Sequence, residues 1–118
     1  MKLHGYAVAK KKEGNLFIVH LPQEVKENPG TYVNAEEKYF YSNWDNFLPK
    51  SQIGKVQKDI YATRIKYLVY LLEDDEEKAM SLIKQTIQEE IDELNKQISF
   101  KQEILRIVCE PVCEIKER

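Results

Sequence analysis

Between Gly54 and Pro111 the chain runs without a glycine or a proline, and the second half of that run repeats apolar residues at helical spacing. Met80, Ile83, Ile87, Ile91, Leu94, Ile98, Leu105 and Val108 recur about every 3.5 residues, which predicts an amphipathic helix from Glu77 to Val108. At 1.5 Å per residue such a helix spans roughly 48 Å, more than a small sheet can cover. Its apolar stripe therefore needs either a second helix folded back along it or a second molecule. The acids Glu73 to Glu77 suit a helix start, with Asp74 or Asp75 as N-cap. Without a turn at 73–76, one helix would run from 55 to 108.

Lys55 to Leu72 reads as that second helix. Ile60, Arg64, Tyr67 and Leu71 form one stripe, and Tyr61, Ile65, Leu68 and Leu72 form the neighbouring one. A strand over Tyr67–Leu72 is the alternative reading. Upstream, alternating apolar residues predict a β-hairpin of Leu3–Lys10 and Leu16–Leu21 around Gly14. A two-residue turn at Glu13-Gly14 pairs Val8 with Val19 and Tyr6 with Leu21. It places Tyr6, Val8, Phe17, Val19 and Leu21 on one face, with Gly5, Ala7, Ala9, Ile18 and His20 on the other. Pro22 is expected to end the second strand. Asn28-Pro29-Gly30 marks a turn, and Thr31–Ala35 extends briefly. Lys38–Tyr41 reads as a third strand, and Asn43–Leu48 as a short helix capped by Ser42 and Asp45 and stopped by Pro49.

The expected fold is therefore α+β: an antiparallel sheet of about three strands, a short Trp-bearing helix, and two long C-terminal helices arranged as a helical hairpin or an extended coiled-coil-like helix. One domain is expected, β-rich over 1–48 and helical over 55–108, with a loose tail over 109–118; a short strand through Val112 and Ile115 is the alternative there. The 42% apolar and 32% charged content suits a globular chain. No window approaches the apolar length of a membrane span, and the first residues carry no apolar signal-peptide core, so cytoplasmic residence is expected. Cys109 and Cys113 have neither redox nor zinc-ribbon spacing and read as reduced thiols. The net charge of −2 divides unevenly: residues 1–72 carry 11 cations against 7 acids, and residues 73–118 carry 7 against 13.

Glu89-Glu90-Ile91-Asp92-Glu93-Leu94 resembles the Glu-Glu-x-x-Glu-Leu helix of the all-α nucleoside-triphosphate pyrophosphatases, in which carboxylates one turn apart bind magnesium. That family carries a further acidic pair on a second helix. Here only Lys101-Gln102-Glu103 follows, so no enzyme is expected. In the register above His4 and His20 fall on opposite faces and do not converge on an ion. No phosphate loop or nucleophile elbow is present in the sequence, and no catalytic residue, cofactor or metal is expected.

The expected function is a non-enzymatic protein-interaction module working through the long helix. Ile83, Ile87, Ile91, Leu94 and Ile98 form its partner-binding stripe, with Glu89, Glu90 and Glu93 beside it, and it self-associates as a dimer. The compact, motif-free, Lys/Glu/Ile-rich style suits a small accessory protein of a phage or mobile element, one that inhibits a host nuclease or defence complex. The alternative is nucleic-acid binding by Lys10, Lys11 and Lys12 at the hairpin tip with Lys50, Lys55, Lys58, Arg64 and Lys66, and with Tyr39 and Tyr41 stacking on bases.

Overall fold

A computed structural model describes residues 1–60 and 63–111. Among them are six strands, β1 (Lys2–Lys10), β2 (Leu16–Glu27), β3 (Thr31–Asn34), β4 (Phe47–Pro49), β5 (Gln57–Lys58) and β6 (Ile65–Leu71). One 3₁₀ turn (Lys50–Gln52) and one helix, α1 (Glu76–Val108), complete the description. The strands form one antiparallel half-barrel sheet in the order β4-β3-β2-β1-β6-β5. Contacts divide the chain into two compact units, Met1–Thr86 and Ile87–Arg118.

This corrects the expected architecture in three places. The described residues of 55–72 form two strands and no helix, so neither the helical hairpin nor the coiled-coil-like arrangement exists among the described residues. Instead β6 pairs with β1 on one side and with β5 on the other. Its residues are buried on both faces, Leu68 and Tyr70 toward one core and Val69 and Leu71 toward the opposite face. A strand covered on both faces loses its alternation, and its apolar run then imitates the wide band of a packed helix. The aromatic and β-branched content of Tyr67-Leu68-Val69-Tyr70 was the discriminating signal.

Secondly, Asn43–Leu48 is not a helix, and Lys38–Tyr41 is not a strand. The Asn43 side chain accepts from the Asp45 N–H at 3.0 Å and donates to the Phe47 carbonyl at 2.9 Å, so it holds a turn rather than a helix start. Backbone bonds from Phe40 N–H to the Asp45 carbonyl and from Trp44 N–H to the Phe40 carbonyl close the loop, with Trp44 at φ 59°. Trp44 is exposed, while Phe40 and Leu48 enter the core.

Thirdly, the hairpin register is shifted by one. The loop spans residues 11–15, with Lys11 N–H bonded to the Asn15 carbonyl and Gly14 at φ 100°. Lys10 pairs with Leu16, Val8 with Ile18 and Tyr6 with His20. The extra loop residue exchanges the faces of β1 relative to β2. Leu3, Gly5 and Ala7 now share a side with Val19 and Leu21. β2 also continues through Pro22 to Glu27, because β3 pairs only with Val25–Glu27 and Pro22 faces a single neighbour, β1.

The main core gathers Leu3, Ala7, Val25, Tyr32, Phe40, Leu48, Leu68 and Tyr70. Gly5 is what admits the Tyr70 ring: a Cβ there would lie 2.9 Å from Tyr70 Cε1 and 3.2 Å from the Leu21 carbonyl oxygen. The ring meets Phe40 edge-on at 5.7 Å, and its hydroxyl accepts from the Tyr41 N–H at 3.1 Å. The opposite face buries Tyr6, Val69 and Leu71, and the first turns of α1 bury Ala79 and Ile83. Strand β6 ends at Leu71, and Asp75 caps the helix by accepting from the Lys78 N–H at 3.0 Å. The chain thus breaks at 72–75, as one of the two sequence readings required.

Gly5→Ala is expected to destabilise the Met1–Thr86 unit by about 1–3 kcal/mol, because a buried ring and a backbone carbonyl must both give way. A urea melt should show a lower midpoint at an unchanged slope.

Candidate functional sites

The register that pairs Tyr6 with His20 and His4 with Leu71 also assembles a polar cluster. His4, Tyr6 and His20 are all even-numbered, and strands whose partner numbers sum to an even value place them on one face. Leu71 lies beside His4, so the turn that follows carries Asp74 back over the same face. The sequence-based expectation that the two histidines point apart is overturned by the loop's extra residue.

The rings form a ladder. His20 stacks on Tyr6 at 4.7 Å and 7°, and on His4 at 5.1 Å and 20°. His4 Nδ1 and His20 Nε2 are 2.9 Å apart in a hydrogen bond. Tyr6 donates its hydroxyl to Asp74 Oδ1 at 2.5 Å, and His20 Nε2 lies 3.8 Å from the same oxygen. Burial, followed by that hydrogen bond, pushes the Tyr6 phenol up to about 12. The same bond holds the Asp74 carboxyl below its ordinary value, with His20 and His4 adding to the effect. The ladder therefore presents a fixed carboxylate beside two imidazole nitrogens, a set able to pass a proton or to ligate a cation.

At the other end of β1 the hairpin tip gathers cations. Lys10, Lys11, Lys12, Thr63, Arg64 and Lys66 line one shallow concavity, and the Lys10 N–H donates to the Arg64 carbonyl at 2.9 Å. Lys11 also sits 5.7 Å over the exposed Phe17 ring. Of the basic residues expected to act together, Lys10, Lys11, Lys12 and Arg64 converge. Lys55 and Lys58 do not line the concavity, and neither do Tyr39 and Tyr41. Lys66, also expected in this group, joins the concavity, whereas Lys50 does not.

The helix stripe divides. Ile83 is buried within the first unit and Ile87 is half-buried. From Ile91 through Val108 every residue is exposed, including Leu94 and Ile98 at more than half of their surface. Phe100, Ile104, Leu105 and Ile107 join them, and Leu94, Ile98 and Leu105 line an apolar concavity with Gln97, Lys101 and Gln102. Glu89, Glu90 and Glu93 flank the stripe on the same helix. The second acidic helix that the pyrophosphatase resemblance requires is missing, since α1 is the one α-helix among the described residues. Cys109 is exposed and unbonded; Cys113 and the expected short strand at Val112 and Ile115 lie outside the described residues. No helix is long and apolar enough to cross a membrane among the described residues. Comparison with protein-family models, with curated proteins and with solved structures finds no match.

A phenol whose pKa is raised on folding stabilises the fold below its unfolded value near 10, and that contribution is lost as pH rises through about 12. Burial raises the Tyr70 phenol as well. In an alkaline titration followed by tyrosine absorbance, Tyr6 and Tyr70 should therefore ionise late. Tyr6→Phe should remove one of them and return the Asp74 carboxyl, followed by NMR, toward its ordinary value.

Proposed function

We propose that the protein is a non-enzymatic interaction module that self-associates through the exposed apolar face of α1 beyond Ile87. The observation that carries this reading is the unbroken exposure of Ile91 to Val108, a segment rich in Ile and Leu. Helices in water gain most of their stability from packing an apolar face, so a stripe of this kind calls for a partner. Charge favours a second copy laid antiparallel. Residues 89–93 gather the acids Glu89, Glu90, Asp92 and Glu93 at one end, while Lys96, Lys101 and Arg106 outnumber Glu103 and Glu110 at the other. A two-fold axis between these ends sets each acidic stretch against the partner's basic one. Arg106 already forks between Glu103 on its own helix and Glu110 just beyond the helix end, which leaves Lys96 and Lys101 as the cations directed at the partner.

Sedimentation should report a dimer at micromolar concentration. Leu94→Asp with Ile98→Asp should yield a folded monomer, because both positions are exposed within the chain and an unpaired charge resists burial in an interface. A wild-type monomer across the same concentrations, or a dimer untouched by the double change, overturns the proposal.

One observation favours a second reading, in which the module binds nucleic acid. Five cations line the hairpin concavity, and one of them, Lys11, lies against an exposed Phe17 that offers a stacking surface. Single-stranded oligonucleotide should then bind at low salt, with log K falling against log salt at a slope of about −0.7 per phosphate neutralised. Lys11→Glu with Arg64→Glu should abolish it. Binding that is absent, or indifferent to those changes, removes this reading.

A further inference from the structure

We propose that His4, His20 and Asp74 form a binding site for a divalent first-row transition cation such as Zn²⁺. One ligand atom from each residue, His4 Nδ1, His20 Nε2 and an Asp74 carboxylate oxygen, lies within 4.8 Å of the other two. Metal–nitrogen and metal–oxygen bonds of about 2.0–2.2 Å in a tetrahedron hold neighbouring ligand atoms about 3.3 Å apart. The separations of 2.9 Å between the imidazole nitrogens and 3.8 Å between His20 and Asp74 already straddle that value. Asp74 is exposed and has a second carboxylate oxygen besides the one that accepts from Tyr6, so a small rotation of its side chain closes the remaining gap.

The chemistry of the donor set points the same way. Two imidazoles with one carboxylate suit zinc and its first-row neighbours rather than calcium or magnesium, which prefer an all-oxygen set. Three protein ligands leave a fourth position for water. The supporting contacts that such sites use are present: Tyr6 donates to Asp74 and stacks on His20, which orients both ligands. Asp75 and Glu76 lie close enough to act on Tyr6, and they make the surroundings of the cluster attractive to a cation. The alternative is a purely structural ladder of stacked rings, which predicts no affinity for metal.

Isothermal titration of the full chain with Zn²⁺ alone should show one equivalent bound. His4→Gln, His20→Gln and Asp74→Asn should each weaken binding by at least about tenfold, and Tyr6→Phe by less. These ligand side chains are not in the buried core, so circular dichroism should stay unchanged. Imidazole ¹⁵N spectra should place the metal on Nδ1 of His4 and Nε2 of His20. The exposed Cys109 and its neighbour Cys113 provide the control: Cys109→Ser with Cys113→Ser should leave affinity intact. Absence of binding at sub-millimolar zinc overturns the proposal. So does binding that survives His20→Gln or disappears with the two cysteines.

Discussion

The pairing of β1 with β2 is the constraint on which the rest of the molecule depends. A five-residue loop sets partner numbers to an even sum, and that parity decides which side chains of β1 face the core. Leu3, Gly5 and Ala7 then meet Tyr70 and Leu68, while Tyr6 and His4 turn to the opposite face beside Val69 and Leu71. A loop one residue shorter would turn His20 away from Tyr6 and His4 and set Val19 and Leu21 on the side opposite Gly5 and Ala7. The core and the polar ladder are thus two faces of one decision made at the turn.

The long helix was legible in the sequence because its period is long and uninterrupted, and its capping acid was legible too. The hairpin was also readable as an element, but its register was not. Periodicity fixes the alternation within each strand, whereas the relative phase comes from the loop, and Lys11 to Asn15 admit several closures. The largest misreading, residues 55–72, has a different cause. β6 lies between β1 and β5 under two layers of cover, and burial on both faces erases the alternation that marks a strand. The loop at 42–46 misled for a third reason, since Ser42 and Asp45 fit the spacing of a helix cap while Asn43 closes a local turn instead.

The candidate sites follow the same division. The stripe from Ile91 onward could be read residue by residue, because helical geometry alone relates its members. The polar ladder could not, since it joins residues from β1, β2 and the turn after β6. Its components are ordinary when taken singly: two histidines, a tyrosine and one acid within a run that reads as a helix start. The basic concavity stands between these cases. Three of its lysines are contiguous, but Arg64 and Lys66 join them only because β6 runs antiparallel to β1.

The strand order has a consequence for how the chain comes to be folded. β1 is made well before its second neighbour, β6, which is complete only after about sixty further residues have been synthesised. Until then the β1–β2 hairpin has an unpaired edge and an uncovered apolar face. Sheets closed by such distant pairing fold slowly, because the loop between the partners must lose its freedom before the contact rewards it. An open edge of that kind is also where nascent chains pair with one another. Lys10, Lys11 and Lys12 sit at the tip of that same hairpin, where like charges keep two such hairpins from meeting end to end.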